Sequence, residues 1–140
     1  MKKLLLALSI LFLISCENDD RINNCNFLLD VGVNFRLNLN LPEYSELRFT
    51  NNVVYVPNEG NLGVYVINTG IAYRAFDAAD PNHPPEACSL MQLNGIEVTC
   101  GCSDENKYLL ATGTSLGEQL PCSLQEYRVT ESGNILTINN

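Results

Sequence analysis

The sequence predicts an all-β domain, and three observations carry that prediction. Val33-Asn-Phe-Arg-Leu-Asn-Leu-Asn-Leu41 alternates apolar and polar residues without a break, which is the period of a half-buried strand. Short apolar or β-branched runs recur along the chain, separated by clusters of Gly, Pro, Asn and Asp that act as turn signals. After residue 16 no stretch shows the 3.6-residue period of an amphipathic helix. Seven or eight short strands of this kind build an antiparallel sandwich or barrel-like domain, and 140 residues fill one modest core.

The elements follow in order. Asn24 to Gly32 reads as an extended lead-in to the Val33–Leu41 strand, which Pro42 ends; Asn52-Val-Val-Tyr-Val56 is a second strand, stopped by Pro57-Asn-Glu-Gly60. Gly63–Ile67 and Ile71–Phe76 flank Asn68-Thr-Gly70 as a hairpin. Leu90–Leu93 and Ile96–Thr99 flank Asn94-Gly95, a strong hairpin signal, and Tyr127–Thr130 and Ile135–Ile138 flank Glu131-Ser-Gly-Asn134. Two stretches read as loops, Asp77–Ala87 before Cys88 and Gly101–Lys107 after Cys100. They lie at the two ends of one hairpin's strands, so they are expected to face each other.

The front of the chain has a different character. Met1-Lys-Lys3 followed by the apolar run Leu4–Ile14 has the layout of a secretory leader and is too short for a stable membrane span. Leu13-Ile-Ser-Cys16 resembles the lipobox of bacterial lipoproteins, which implies cleavage before Cys16, acylation of that cysteine and a membrane anchor made of several acyl chains. The polar segment behind it, Glu17-Asn-Asp-Asp20 and Arg21-Ile-Asn-Asn24, reads as a spacer. Its acidic run also resembles the sorting signals of some surface lipoproteins in double-membraned bacteria. The expected organisation is a leader over 1–15, a flexible acylated tether over 16–26 and a β domain over 27–140, located in the cell envelope at the outer membrane. The partners expected are the membrane, through the lipid, and a protein that the sequence does not identify.

Charge narrows the partners further. Loss of Lys2 and Lys3 with the leader leaves six basic residues against sixteen acidic ones, a balance that argues against nucleic acid. With Cys16 used for lipid, Cys25, Cys88, Cys100, Cys102 and Cys122 remain in a compartment that permits disulfides. Five is odd, so at most two bridges form and one thiol is left over.

From about Val33 onward the chain resembles the Rieske iron-sulfur domain, and more closely small lipoproteins with a Rieske-like fold. In that family a strand ending Ala-Phe-Asp leads into a first loop Cys-Pro-His. A second loop Cys-Pro-Cys-His-Gly follows a hairpin, and a Thr-Gly or Asp-Gly turn precedes a Pro-x-Tyr-x-Val strand. The counterparts here are Ala75-Phe-Asp77, Asp80-Pro-Asn82, Cys100-Gly-Cys-Ser103, Thr112-Gly113 and Glu126-Tyr-Arg-Val129. The resemblance implies antiparallel sheets with a small hairpin subdomain carrying two opposed loops.

The ligands depart from the family pattern. A Rieske cluster holds one iron by two thiolates and the other by two histidines. By this alignment those four positions are Asp80, Asn82, Cys100 and Ser103, and one cysteine of the four is retained. The chain has a single histidine, His83, so a two-histidine site within one chain is excluded by counting alone. The expectation is a vestigial site with no cofactor and no metal, an unorthodox 2Fe-2S electron carrier being the alternative. In many Rieske proteins the second cysteine of the Cys-Pro-Cys run bridges to a cysteine of the first loop; the resemblance therefore implies a Cys88–Cys102 disulfide, worth about 3 kcal/mol for a loop of about 15 residues.

Cys100 is then either a buried thiol or a partner for Cys25 or Cys122. A zinc or redox reading of Cys100-Gly-Cys102 lacks the usual structural-zinc spacing. His83 between Asn82 and Pro84 reads as a solvated loop residue. Ser103-Asp104 and Ser115 have no second histidine-bearing set, so no enzyme is expected. Asp77, Asp80, Glu86, Asp104 and Glu105 read as a solvated acidic rim rather than a calcium site. Tyr65, Tyr73, Phe76 and Tyr127 read as core.

Overall fold

The computed structural model describes residues 25–140; the leader, Cys16 and most of the tether lie outside them. Ten strands run in chain order: β1 Asn34–Asn38, β2 Val53–Val56, β3 Val64–Asn68, β4 Tyr73–Asp77, β5 Met91–Asn94, β6 Glu97–Cys100, β7 Lys107–Leu109, β8 Thr114–Ser115, β9 Glu126–Ser132 and β10 Ile135–Asn139. Six form one antiparallel sheet in the order β1-β10-β9-β4-β3-β2, and four form a smaller one in the order β5-β6-β7-β8. The small sheet is inserted between β4 and β9, which are themselves paired through Ala75–Tyr127 and Phe76–Glu126. The all-β expectation, with a hairpin subdomain and two facing loops, is the layout observed.

The alternation of strand side chains explains why β3 is apolar throughout. Val64 and Val66 point to one core with Leu37, Leu47, Ala75, Tyr127, Leu136 and Ile138. Tyr65 and Ile67 point to the other side, where Phe76, Ala78, Met91, Val98, Tyr108 and Leu110 join the two sheets. A strand buried on both faces loses the polar half of its pattern. The Tyr65 hydroxyl donates to the Met91 carbonyl at 2.7 Å, so a polar atom at the sheet-to-sheet boundary is also satisfied. Arg74 on β4 forks onto Glu126 of β9 at 2.7 and 2.8 Å and donates to the Ala111 carbonyl at 2.8 Å, tying the large sheet to the turn after β7 of the small one.

Several elements differ from the sequence expectation. The Val33–Leu41 strand stops at Asn38, because the Leu41 N–H turns back to the Asn38 carbonyl at 2.9 Å, although Leu39 stays buried. The loop after Pro42 contains a 3-10 turn, Ser45–Arg48, with Leu47 buried. The β5–β6 loop is Gly95-Ile96 rather than Asn94-Gly95, since Asn94 pairs with Glu97. Gly95 has φ 66°, and a lone glycine at the first central position is the signature of a II′ turn. Strands β7 and β8 have no counterpart in the sequence reading.

Candidate functional site

The open end of the β5–β6 hairpin carries the two loops, and they are fastened to each other at three levels. The Asn106 amide of the second loop donates to the Asp80 carboxylate of the first at 2.8 Å. Cys88 and Cys102 form a disulfide with Cα atoms 4.9 Å apart. Gly101 lies so close to the first loop that a Cβ there would sit 2.8 Å from the Cys88 carbonyl oxygen. The second loop closes on itself through Cys100 N–H to the Asn106 carbonyl at 2.8 Å and Glu105 N–H to the Cys102 carbonyl at 3.1 Å.

Asp77 and Asp80 are fully buried, not part of a solvated rim. Asp77 accepts from the Asn61 N–H at 2.7 Å, the Asn61 amide at 2.9 Å, the Tyr127 hydroxyl at 2.7 Å and the Ala79 N–H at 2.9 Å. Asp80 accepts from the Tyr108 hydroxyl, the Asn82 N–H at 2.9 Å and the Asn106 amide at 2.8 Å. Each carboxylate is thus capped by one tyrosine and one asparagine, which meets the requirement that a buried acceptor be bonded. Burial and then the neighbouring carboxylate push both tyrosines well above the usual phenol range, Asp80 acting on Tyr108 and Asp77 on Tyr127.

Asn82 also faces inward. Its amide donates to the Tyr108 hydroxyl at 2.8 Å and to the Cys122 carbonyl at 2.7 Å, and its side-chain oxygen accepts from the Cys122 N–H at 3.1 Å. It acts as one rung of a ladder between the first loop and the segment before β9. Cys122 is bridged to Cys25. Cys100 is the free thiol among the described residues and is buried. Burial and then the Asp80 carboxylate push its pKa up to about 12, against a lowering by the Cys102 backbone, so at neutral pH it is a thiol, not a thiolate. Ser103 is exposed and takes no part in this network.

The structure therefore brings Asp80, Asn82 and Cys100 together and leaves Ser103 outside. Of these four positions only Cys100 offers a cluster-type donor, and Asp80 and Asn82 are already committed to internal bonds. The set does not fit a cluster held by two cysteines and two histidines. Sequence reasoning missed Tyr108, Asn106 and Ser89.

His83 is not free in solvent. Its Nδ1 lies 2.8 Å from the Pro84 carbonyl, 3.3 Å from Ser89 Oγ and 3.7 Å from Cys102 Sγ. Ser89 Oγ is fully buried, donates to the Pro84 carbonyl at 2.7 Å and accepts from the Glu86 N–H at 2.8 Å. It closes the first loop. Two ligand-type groups meet here, His83 with Cys88 and Cys102, and Cys100 with Cys102 and Asp104, and within each the donor atoms lie inside 4.8 Å of one another. Cys102 belongs to both.

A shallow groove of about 490 Å³ runs beside the disulfide, lined by Tyr55, Tyr65, Cys88, Leu90, Met91 and Leu93 among others. Leu90 and Leu93 are partly exposed there.

No family model matches the chain, and no curated protein matches it. Among solved structures it is similar to the ferredoxin of carbazole 1,9a-dioxygenase from Nocardioides aromaticivorans IC177, at 16% identity and a TM-score of 0.42, over 64% of this chain and 86% of that one.

Proposed function

We propose that this chain is an exported, membrane-anchored lipoprotein whose Rieske-like domain serves as a binding or structural module rather than as an electron carrier or an enzyme. The anchor in this reading is Cys16, and the location is the cell envelope at the outer membrane. The lipobox-like Leu13-Ile-Ser-Cys16 supports the anchor, and the acidic run Glu17-Asn-Asp-Asp20 behind it supports the location. The working face is the tip formed by the two loops, and a protein is the partner expected there.

The observation that carries the cluster-free part is the use already made of Asp80 and Asn82. Where the family places a thiolate and an imidazole, this chain has a carboxylate bonded to Tyr108 and Asn106 and an amide bonded to Tyr108 and Cys122. Freeing either for iron would leave buried partners unbonded, at about 1–3 kcal/mol for each orphaned group.

The test is iron and acid-labile sulfide analysis of protein purified without air. Colourless protein with iron far below one atom per chain is the expected result. A brown protein with stoichiometric iron and sulfide would overturn the reading in favour of an electron carrier with unorthodox ligation.

A further inference from the structure

The two loops hold more ligand chemistry than the clasp uses. His83 and Cys88 come from the first loop, Cys100 and Cys102 from the second. Cys102 Sγ lies 3.7 Å from His83 Nδ1 and within 4.8 Å of the donor atoms of Cys88, Cys100 and Asp104. In a tetrahedral zinc site with Zn–S near 2.3 Å and Zn–N near 2.0–2.1 Å, neighbouring donor atoms are roughly 3.4–3.8 Å apart. The His83–Cys102 pair already has that separation, and ligation through Nδ1 exchanges its exposed bond to the Pro84 carbonyl for the metal, its proton leaving to solvent.

We propose that reduction of the Cys88–Cys102 disulfide converts this tip into a site for a thiophilic divalent cation, Zn²⁺, held by His83, Cys88, Cys100 and Cys102. Cys102 is common to the two groups, and drawing Cys100 onto the His83–Cys88–Cys102 group completes a closed Cys₃His set of the structural kind. The site lies beside the positions aligned with a cluster and shares only Cys100 with them.

The conversion balances. A dithiol supplies two electrons and two protons, the Sγ–Sγ bond breaks to give two thiols, and the dithiol leaves as its own disulfide. Zn²⁺ then displaces the protons of Cys88, Cys100 and Cys102 to solvent, because a coordinating thiol is deprotonated outright. Cys88 and Cys102 need only part from bonding distance to roughly 3.7 Å, which side-chain rotation supplies with the Cα atoms 4.9 Å apart.

Three further observations favour a cation at this place. Asp104 belongs to the same donor group as Cys100 and Cys102. Glu86 and Glu105 stand exposed on the two loops, so the field around the tip is negative. Gly101 keeps the loops at the close approach that shared ligation needs.

The proposal is independent of the cluster-free reading: iron content as isolated tests that one, and zinc uptake after reduction tests this one. The chain from Cys16 onward is reduced anaerobically with a dithiol, freed of it and titrated with Zn²⁺, with Co²⁺ as spectroscopic stand-in, beside an oxidised sample. The reduced protein is expected to take up one ion per chain with tetrahedral thiolate–cobalt absorption, and the oxidised protein none. Cys102→Ala should abolish that signature and His83→Gln should weaken uptake at least tenfold, whereas the Cys25→Ala/Cys122→Ala double variant should retain it. If the reduced chain unfolds, circular dichroism should show Zn²⁺ refolding the wild type and not Cys102→Ala. No uptake and no refolding by the reduced protein, or equal uptake by Cys102→Ala, would overturn the proposal.

Discussion

At the residue scale the tip is organised by one hydroxyl. Tyr108 is fully buried, donates to Asp80 and accepts from the Asn82 amide at 2.8 Å. It therefore joins the first loop to β7 inside the second core. Its removal leaves a fully buried carboxylate short of one donor and a half-buried amide short of one acceptor. Tyr108→Phe should cost about 1–3 kcal/mol, read as a lower denaturation midpoint at unchanged slope. Tyr55→Phe removes a hydroxyl that donates at 2.9 Å to the Leu62 carbonyl from a partly exposed ring, where water replaces the bond, and should stay within about 0.5 kcal/mol. Equal losses in the two variants would remove the special place given to the Asp80–Tyr108 contact. The sequence did not show this contact, because Asp80 and Tyr108 are 28 positions apart and come from different elements. Asp77 and Asp80 looked like solvated loop acids for the same reason: their donors, Asn61, Tyr127, Asn106 and Tyr108, come from other elements. The sequence shows His83 as a loop residue and no more, since only the folded loops set it against Cys102.

At the scale of elements, strands whose two faces meet different surroundings were legible and strands that depend on a neighbour were not. β1, β2, β3, β4, β5, β6, β9 and β10 each carry an apolar run bounded by turn residues. β7 and β8 are three and two residues long, too short for a period, and exist because β6 offers an edge for β7 and β7 one for β8. The facing of the two loops followed from hairpin geometry, but their closeness did not. That closeness can be tested by a methyl group. Gly101→Ala would place its Cβ 2.8 Å from the Cys88 carbonyl oxygen, a backbone atom that cannot rotate away, so the loops must part at a cost of about 1–3 kcal/mol. Gly32→Ala meets nothing within 4 Å and should be neutral or stabilising by about 0.4–1 kcal/mol through the unfolded chain. Thermal melts of the two variants check the contrast, and an unchanged Gly101→Ala would mean that the loops are not held together as described.

At the scale of the whole molecule the two disulfides divide the work unequally. Cys88–Cys102 spans 14 positions and Cys25–Cys122 spans 97. The chain-entropy model gives about 3 kcal/mol for a loop of 15 residues and about 4.7 for one of 100. The long bridge acts where burial is poorest: between Cys25 and Val33 only Val33 is buried. That segment is otherwise held by hydrogen bonds, Leu29 N–H to Asn61 at 2.9 Å, Val33 N–H to Asn140 at 2.9 Å and the Asn140 amide to the Val31 carbonyl at 3.1 Å. Those bonds attach it to the loop before β3 and to the end of β10, so opening it exposes both ends of the large sheet. If the segment belongs to the cooperative unit, Cys25→Ala/Cys122→Ala should lose more stability than Cys88→Ala/Cys102→Ala, by about 1–2 kcal/mol on that model, in urea titrations under oxidising conditions. The reverse order would mean that the front of the chain frays apart from the sheet, in which case the bridge constrains a loose end and contributes little to the unfolding free energy. Amide hydrogen exchange decides between these directly, because cooperative attachment gives the Leu29 and Val33 amides protection that tracks global stability and falls in step with it when the long bridge is removed.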